Sequence, residues 1–484
     1  MGKWLDRVYA VSPVWMQQLG VNLYGFYWAR RRLGQAFEEL SRAYVQRESW
    51  PPDQMRNYVE TQLRGQVQRA YREVPYYKNA FHSAGIDEGT LNNFTSADLG
   101  KLPVLEKTFV REHSDALLTE DAARRPPALF HSSGSTGAPI SIYMNSAAHQ
   151  HAIAVREARS FRWAGVSYRE PRCTLGGRLV VSPSQTRPPF WRYNRWEHQL
   201  YLSAHRMSEE TVPDYVAALN RFHPPTLIGY ATAVYIFAKL VQKLNLKVQR
   251  PRAIITVAER LEPYMRPVIE SALGARPFEE YGSAENCALA TECERGNLHV
   301  HSDFGYMEIV RPDGRPAGPG ELGELLVTGF ANTKQIFIRY RIGDLAAWAP
   351  EPCTCGRDSL PTLGDLVGRV EDIAVAPDGR QIVRMRYIFL ELAGILEGQI
   401  VQEDLRRYVF NVVPGPGYSR TAVHRKVQQV FQSRFGLGPE VSVEIHELGS
   451  IPRGPNGKFR AVINRVGPGG PTLLGAERKV QDSD

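Results

Sequence analysis
The sequence predicts an α/β fold with a large N-terminal domain of parallel-rich sheets and a small β subdomain, followed by a smaller α+β C-terminal domain. Three observations predict it. Apolar runs of strand length alternate with helical periodicity across 175–281, the spacing of βαβ units. From Asp303 to Trp348 the pattern changes to short alternating strands punctuated by Gly and Pro. The 484 residues exceed what one ordinary core accommodates. The divisions follow these changes: a helical extension over 1–60, a main domain over 61–368 with its β subdomain at about 303–350, and a C-terminal domain over 369–466. The Gly/Pro-rich and then charged tail, 467–484, is expected to be disordered.

In chain order, residues 1 to about 60 read as helical with a break at Trp50-Pro51-Pro52. Met55, Tyr58, Val59, Leu63 and Val67 continue a helical period that ends near Val74-Pro75. Residues 86–106 read as loop with short helical turns. An apolar run at 128–130 and the alternating Ile140, Ile142 and Met144 predict a hairpin, and 147–163 a helix. A buried strand is expected at 175–182 and an aromatic, Arg-rich loop at 188–196. Helices follow at 212–222, 231–244 and 261–273, with strands at 226–230, 253–257 and 277–281. The β subdomain is expected to contain strands at 306–310, 323–328 and 337–340.

The hairpin tip is His131-Ser132-Ser133-Gly134-Ser135-Thr136-Gly137-Ala138-Pro139. Glycines let backbone amides approach an anion, and successive amides form an anion-binding concavity. The hydroxyls of Ser132, Ser133, Ser135 and Thr136 add donors. The loop therefore reads as a cradle for nucleotide phosphates, or else as a plain turn. It is not the Gly-x-x-x-x-Gly-Lys-Ser/Thr loop, because Ala138 follows Gly137.

Composition narrows the classes. A hydrophobic fraction of 43% and a charged fraction of 23% are those of a globular chain. Lys plus Arg number 59 against 51 for Asp plus Glu, a surplus that permits an anionic substrate without requiring one. Five cysteines make no secreted disulfide framework and favour a reducing compartment. No secretory signal is evident, and a cytoplasmic protein is expected. The stretch 8–29 is rich in Trp, Tyr and Leu and is followed by Arg30, Arg31 and Arg32. Ser12, Pro13, Gln17, Gln18 and Asn22 make it too polar for a membrane span. A helix packed on the body or on another subunit is one expectation; peripheral contact with the inner membrane surface is the other.

Four further stretches join the loop: Tyr281-Gly282-Ser283-Ala284-Glu285, Ile338-Arg339-Tyr340-Arg341-Ile342-Gly343-Asp344, Gly368-Arg369-Val370-Glu371-Asp372, and Ile451-Pro452-Arg453-Gly454-Pro455-Asn456-Gly457-Lys458-Phe459-Arg460. In order and spacing the five resemble the adenylate-forming acyl-CoA synthetase superfamily. Ile-Arg-Tyr-Arg-x-Gly-Asp, Glu-Tyr-Gly-Ser-x-Glu and Cys353-Thr354-Cys355-Gly356-Arg357 resemble more narrowly its phenylacetate–CoA ligase-like branch, which includes relatives linked to capsular polysaccharide biosynthesis. The resemblance covers roughly 60–466, and the Trp/Tyr/Arg-rich N-terminal segment is similar to the capsule relatives.

That resemblance implies an ATP- and Mg²⁺-dependent enzyme that attaches a carboxylate to AMP, expels pyrophosphate and transfers the acyl group to CoA. Ser132, Ser133, Gly134, Ser135, Thr136 and Gly137 would hold the β- and γ-phosphates; the lysine the family often has there is Ala138 in this chain. Glu285 would hold Mg²⁺. Tyr281, Gly282 and Ser283 would border adenine and the acyl pocket, with Ala258 and Glu259 backing adenine. Asp344 would accept from the ribose hydroxyls, and Arg369 would reach ribose or phosphate. Arg339 and Arg341 alternate, so one points inward. Lys458 would bridge the carboxylate and the α-phosphate. Glu371 and Asp372 would be the hinge about which the C-terminal domain swings as a lid. Trp163, Phe190, Tyr230 and Tyr235 are candidates for the acyl pocket.

Cys293-x5-His299 and Cys353-x-Cys355 are two close-spaced ligand pairs beside the β subdomain. Thiolates and an imidazole suit structural Zn²⁺, with His301 the rival to His299. Cys173 and Cys287 read as packed small residues.

Two enzymatic readings differ in the acceptor: CoA, or an amine or hydroxyl such as one on a surface polysaccharide precursor. A nucleotide-binding scaffold without turnover would explain Ala138 but not Glu285, Asp344 and Lys458. A nucleic-acid binder would need a recognition helix or clustered basic face, and neither is evident.

Overall fold
In the computed structural model, the described residues are 8–132, 140–178, 180–182, 185–369, 374–378, 381–382, 385–435, 437–453 and 459–466. The tail 467–484, the loop residues Ser133, Gly134, Ser135, Thr136 and Gly137, the hinge residues Glu371 and Asp372, and Lys458 lie outside them.

Three long helices open the chain: α1 (Val14–Arg32), α2 (Ala36–Arg47) and α3 (Pro52–Glu73). The second break falls where Pro51 and Pro52 stand, since Pro fits the first helical turn and not an interior. Pro75 likewise starts a new helix, α4 (Pro75–Ser83), rather than merely ending the old one. The hairpin is β1 (Ala128–His131) against β2 (Ser141–Met144), in antiparallel register. Ile140, Ile142 and Met144 are buried, as their alternation requires. Asn145 caps the next helix, α5 (Ser146–Arg156), accepting from the Ala148 N–H at 2.8 Å.

One twelve-stranded sheet dominates. Its parallel half is β3 (Arg172–Gly176), β5 (Gln199–Ser203), β6 (Thr226–Tyr230), β7 (Ala253–Val257) and β8 (Pro277–Gly282), with β4 (Trp191–Asn194) antiparallel at the edge. The helices α6 (Val212–Phe222), α7 (Ala231–Lys243) and α8 (Met265–Leu273) pack their apolar faces on it. Gly274, at φ +73, ends α8 in the left-handed conformation that glycine adopts without strain. Beyond β8 the sheet turns antiparallel through β9 (Leu289–Glu292), β10 (Leu298–Val300), β14 (Thr362–Arg369), β13 (Tyr340–Trp348), β12 (Gly323–Gly329) and β11 (Gly305–Val310). The short strands expected at 303–350 are therefore not a free-standing sheet; β14 and β10 bond them into the main one.

The C-terminal domain is an α+β unit. Strands β15 (Ala374–Val375) and β16 (Gln381–Ile382) form a small ribbon. The four-stranded sheet has β17 (Ile395–Gln402) and β18 (Arg407–Pro414) at its centre, β19 (Ser442–Glu447) and β20 (Val462–Asn464) at its edges, and α9 (Arg420–Val430) packed on it. Its core is separate from those of the main sheet.

Local expectations that differ have identifiable causes. The strand expected at 175–182 is β3, at Arg172–Gly176; it starts at a charged residue because Glu197, Gln199 and the Tyr168 carbonyl satisfy the Arg172 guanidinium. Residues 191–194 form an edge strand rather than a loop, with Tyr193 stacked on Phe222 at 4.4 Å. The strand expected at 337–340 begins only at Tyr340, because Arg339 sits at φ +45. Helix α8 starts four residues late, after Pro263.

A buried ion cluster ties the helical extension to the sheet. Asp303 accepts from Arg159 at 2.8 and 2.9 Å and from Arg47 at 2.7 Å. Burial alone would raise the Asp303 pKa; Arg159 and Arg47 outweigh it and hold the carboxyl below its ordinary value. Arg159 has no exposed side-chain surface. Asp303→Ala is expected to leave it without its charge partner and to cost about 3–5 kcal/mol, read as a lower urea midpoint at unchanged slope.

Candidate active site
Five of the expected nucleotide residues wall one cavity of about 240 Å³: Ala258, Glu259, Tyr281, Gly282 and Asp344. It opens at the carboxyl ends of β7 and β8, where ligands bind in open α/β sheets. Ala258, directly past β7, sits at φ +67, a conformation that non-glycine residues adopt at a cost and that turns the chain into the cavity wall. The opposite wall comes from the C-terminal domain, with Phe389, Glu397, Phe459 and Arg460 among its residues.

Tyr281 and Asp344 lie 63 positions apart, yet the Tyr281 hydroxyl donates to Asp344 Oδ2 at 2.7 Å. Asp344 is paired in register with Arg369 across β13 and β14, so two expected ribose residues occupy facing positions. The Ser283 hydroxyl is buried and has no hydrogen-bond partner among the described residues. Ser132 closes the neck of the hairpin: its Oγ accepts from the Ile140 N–H at 2.9 Å.

Glu285 is not a wall residue of this cavity, although it is only 5% exposed. Its Oε1 accepts from the Tyr340 hydroxyl at 3.2 Å, and among the described residues no basic side chain pairs with it. An acceptor-only oxygen ligand of this kind could take a hard divalent ion.

Glu259 does more than back the cavity. Its Oε2 accepts from the Thr232 N–H at the start of α7, and its Oε1 from the Phe459 N–H, both at 2.9 Å. It thereby joins the main domain to the residue that follows Lys458 in the chain. Arg386 adds a second tie, 2.5 Å from Glu262. Within the wall, burial pushes Glu279 above its ordinary value while Arg260, at 2.6 Å, pulls it down.

Several expected residues lie away from the cavity. Arg339 is buried against Glu308 and the Leu102 carbonyl, and the less buried Arg341 pairs with Glu106 and Glu324. Of the four acyl-pocket candidates only Tyr235 walls the cavity. Phe190 is packed in the core of the parallel half, and Trp163 stands edge-on to His299 at 5.8 Å. Sequence reasoning missed Tyr340 as the partner of Glu285, although it lies inside the Ile-Arg-Tyr-Arg motif. It also missed Arg386 and Glu262, which no motif marked.

The four expected metal ligands do converge. Ligand atoms of Cys293, His299, Cys353 and Cys355 all lie within 4.8 Å of one another. Cys293 and Cys353 sulfurs are 3.7 Å apart, too far for a disulfide of about 2.0 Å. That distance matches the ~3.8 Å edge of a tetrahedron built on Zn–S bonds of about 2.3 Å. Cys355 Sγ lies 3.2 Å from His299 Nε2, while His299 Nδ1 is 2.9 Å from the Leu360 carbonyl. The carbonyl accepts from Nδ1–H, the tautomer that leaves Nε2 free to act as the ligand atom. The rival, His301, is not among the converging residues; its Nε2 lies 2.5 Å from Thr291 Oγ1.

A model of the CapK C-terminal domain matches residues 375–465. Protein CapK of Staphylococcus aureus is 27% identical over 96% of this chain and 100% of its own length. Phenylacetate-coenzyme A ligase of Thermus thermophilus is 25% identical over 68% of this chain and 73% of its own. The chain is thus similar to CapK along almost its whole length and to phenylacetate-coenzyme A ligases over most of it. Among solved structures, 2-hydroxyisobutyryl-CoA ligase in its postadenylation state superposes with a TM-score of 0.67 at 20% identity, covering 87% of this chain and 92% of that one. The fold is therefore that of the adenylate-forming enzymes.

Replacing Glu259 by Ala is expected to release the Phe459 amide. A hydrogen bond to a charged acceptor contributes about 1.5–3 kcal/mol, so amide exchange in the peptide carrying Phe459 should speed up by about tenfold or more.

Proposed function
We propose that this chain uses ATP to activate a carboxylic acid and then passes the acyl group to CoA. The observation that carries the reading is that separate stretches of chain, 258–259, 281–282, 344 and 459–460, wall one cavity. In the first step a carboxylate oxygen attacks the α-phosphorus, the bond to the β-phosphate oxygen breaks, and pyrophosphate leaves. In the second the acceptor attacks the acyl carbon and AMP leaves. Both steps bring anions together, so positioning and charge compensation are the catalytic task.

Asp344, steadied by the Tyr281 hydroxyl, would accept from the ribose hydroxyls, with Arg369 at the facing position. Ala258 and Glu259 would back adenine. The loop from Ser132 to Gly137 would hold the terminal phosphates, without the lysine that Ala138 replaces. Glu285, oriented by Tyr340, would hold Mg²⁺, whose charge would offset that of the leaving pyrophosphate. Lys458 would bring the carboxylate to the α-phosphate. Its neighbour Phe459 is bonded to Glu259 at the cavity wall, which supports that role. Cys293, His299, Cys353 and Cys355 would hold a structural Zn²⁺ that ties the loops after β9 and β13 together, without an open position for water.

A second acceptor class, an amine or a hydroxyl as on a surface polysaccharide precursor, is favoured by one observation. The similarity to CapK spans 96% of the chain, whereas that to the Thermus ligase spans 68%.

Pyrophosphate release screened across aryl, aliphatic, amino and uronic acids tests the first step, and varying the acceptor tests the second. Lys458→Ala should lower acid-dependent pyrophosphate release by at least about a hundredfold while ATP still binds; undiminished release would refute the role of Lys458. Metal analysis should find about one zinc per chain, lost in the Cys353→Ser/Cys355→Ser variant. Metal-free, fully folded protein would remove the site.

A further inference from the structure
Helix α1 is docked with its polar side inward. Gln17 is 2% exposed and accepts from the buried Arg192 guanidinium. Gln18 accepts from the Tyr193 N–H at 3.1 Å and donates to the Tyr193 carbonyl; Asn22 accepts from the Arg195 N–H at 2.9 Å. These bonds satisfy the open backbone of β4, the edge strand, which would otherwise present unpaired groups. Gly25 permits the close approach: a Cβ there would stand 2.1 Å from Asn194 Oδ1. Arg32 clamps the end of the helix to Glu197 at 2.8 Å. The helix is held firmly in one orientation.

With its polar residues spent on the sheet edge, α1 turns its apolar side out. Trp15, Leu19, Leu23 and Tyr27 are 68%, 54%, 65% and 54% exposed. Of the eleven exposed large hydrophobic residues described, eight lie between Val8 and Tyr27. A ninth, Trp196, packs on Phe26 of the same helix at 4.7 Å. Single exposed apolar residues are ordinary, but a concentration on one helix marks an interaction surface.

We propose that this face docks on a membrane surface bearing anionic lipid headgroups. No acidic residue occurs from 7 to 37. Arg30 is exposed and lies over the Phe26 ring at 4.4 Å, and exposed Arg195 adjoins Trp196 in the chain. Tryptophan, tyrosine and leucine with a cationic rim match the headgroup boundary, where apolar rings enter and guanidiniums meet phosphates. A second copy of the chain would bring the same arginines against a helix with no carboxylate to pair them. Spanning is not at issue, since no described helix is long and apolar enough to cross. The same helix also braces the hairpin, Trp28 meeting Phe130 edge-on at 5.5 Å and Arg31 donating to the Met144 carbonyl. Docking would therefore set the strands of that hairpin at a fixed height above the lipid.

The test is sedimentation of the full chain with phosphatidylcholine vesicles, with and without about 30% phosphatidylglycerol. Wild-type protein should pellet with the anionic vesicles, less so as salt rises, and emit bluer tryptophan fluorescence. Leu19→Glu/Leu23→Glu, which touches no buried contact, should lower the partition coefficient by about tenfold or more at unchanged circular dichroism and melting temperature. Absence of wild-type binding, or equal binding by the variant, overturns the proposal. So does a wild-type dimer in light scattering that the variant dissolves while neither protein binds lipid.

Discussion

The carboxylate of Glu259 joins the two domains across the cavity, with the Arg386–Glu262 pair as a second tie. It accepts an N–H from the first turn of α7 and another from Phe459, which belongs to the C-terminal domain. Each is a backbone N–H donating to a carboxylate oxygen, a class of bond stronger than a neutral pair. A bond of this kind can be made and lost without rearranging either core, because the C-terminal domain has a core of its own. The contact therefore suits a domain expected to swing. Its acceptor is also a cavity-wall residue, so a ligand seated there would feel whether the bond is made.

The sheet supplies the rest of the geometry. At β8 it passes from parallel to antiparallel without a break in hydrogen bonding. Tyr281 lies at the end of β8, and Asp344 approaches from the antiparallel half on β13. Their hydrogen bond crosses strands far apart in sequence, and the β13–β14 register then sets Arg369 opposite Asp344. Continuity of the sheet makes these positions stiff, because a one-residue slip would turn every side chain to the other face. Preorganisation of this kind is what reactions between anions require.

Two features lie outside the cavity and stabilise its surroundings by different means. The Cys/His cluster brings together the loops that follow β9 and β13, beside a small apolar cluster of Met55, Val59, Trp163 and Leu360. The Asp303–Arg159–Arg47 cluster joins the helical extension to the sheet by buried charge. Helix α1 occupies a third position, covering one edge of the sheet with its amide side chains and leaving Trp15, Tyr24 and Tyr27 outside. An amphipathic pattern alone would suggest the reverse orientation.

What the sequence determined by itself was the set of parts. The α/β alternation, the hairpin with its alternating Ile140, Ile142 and Met144, and the helices at 212–222 and 231–243 follow from local periodicity, which is a property of neighbouring residues. The chemistry-bearing stretches were also legible, since Gly, Ser, Asp and Cys at motif spacing do not depend on distant contacts. Tertiary structure alone decided that 303–350 continue the main sheet, that Arg172 could begin a buried strand, that residues 191–194 form an edge, and that Tyr340 rather than an arginine of its motif faces Glu285. Each turns on a partner dozens or hundreds of positions away: Glu197 for Arg172, Gln18 and Asn22 for β4, and Glu308 for Arg339. Burial and pairing energies are set by such partners, and no window along the chain contains them.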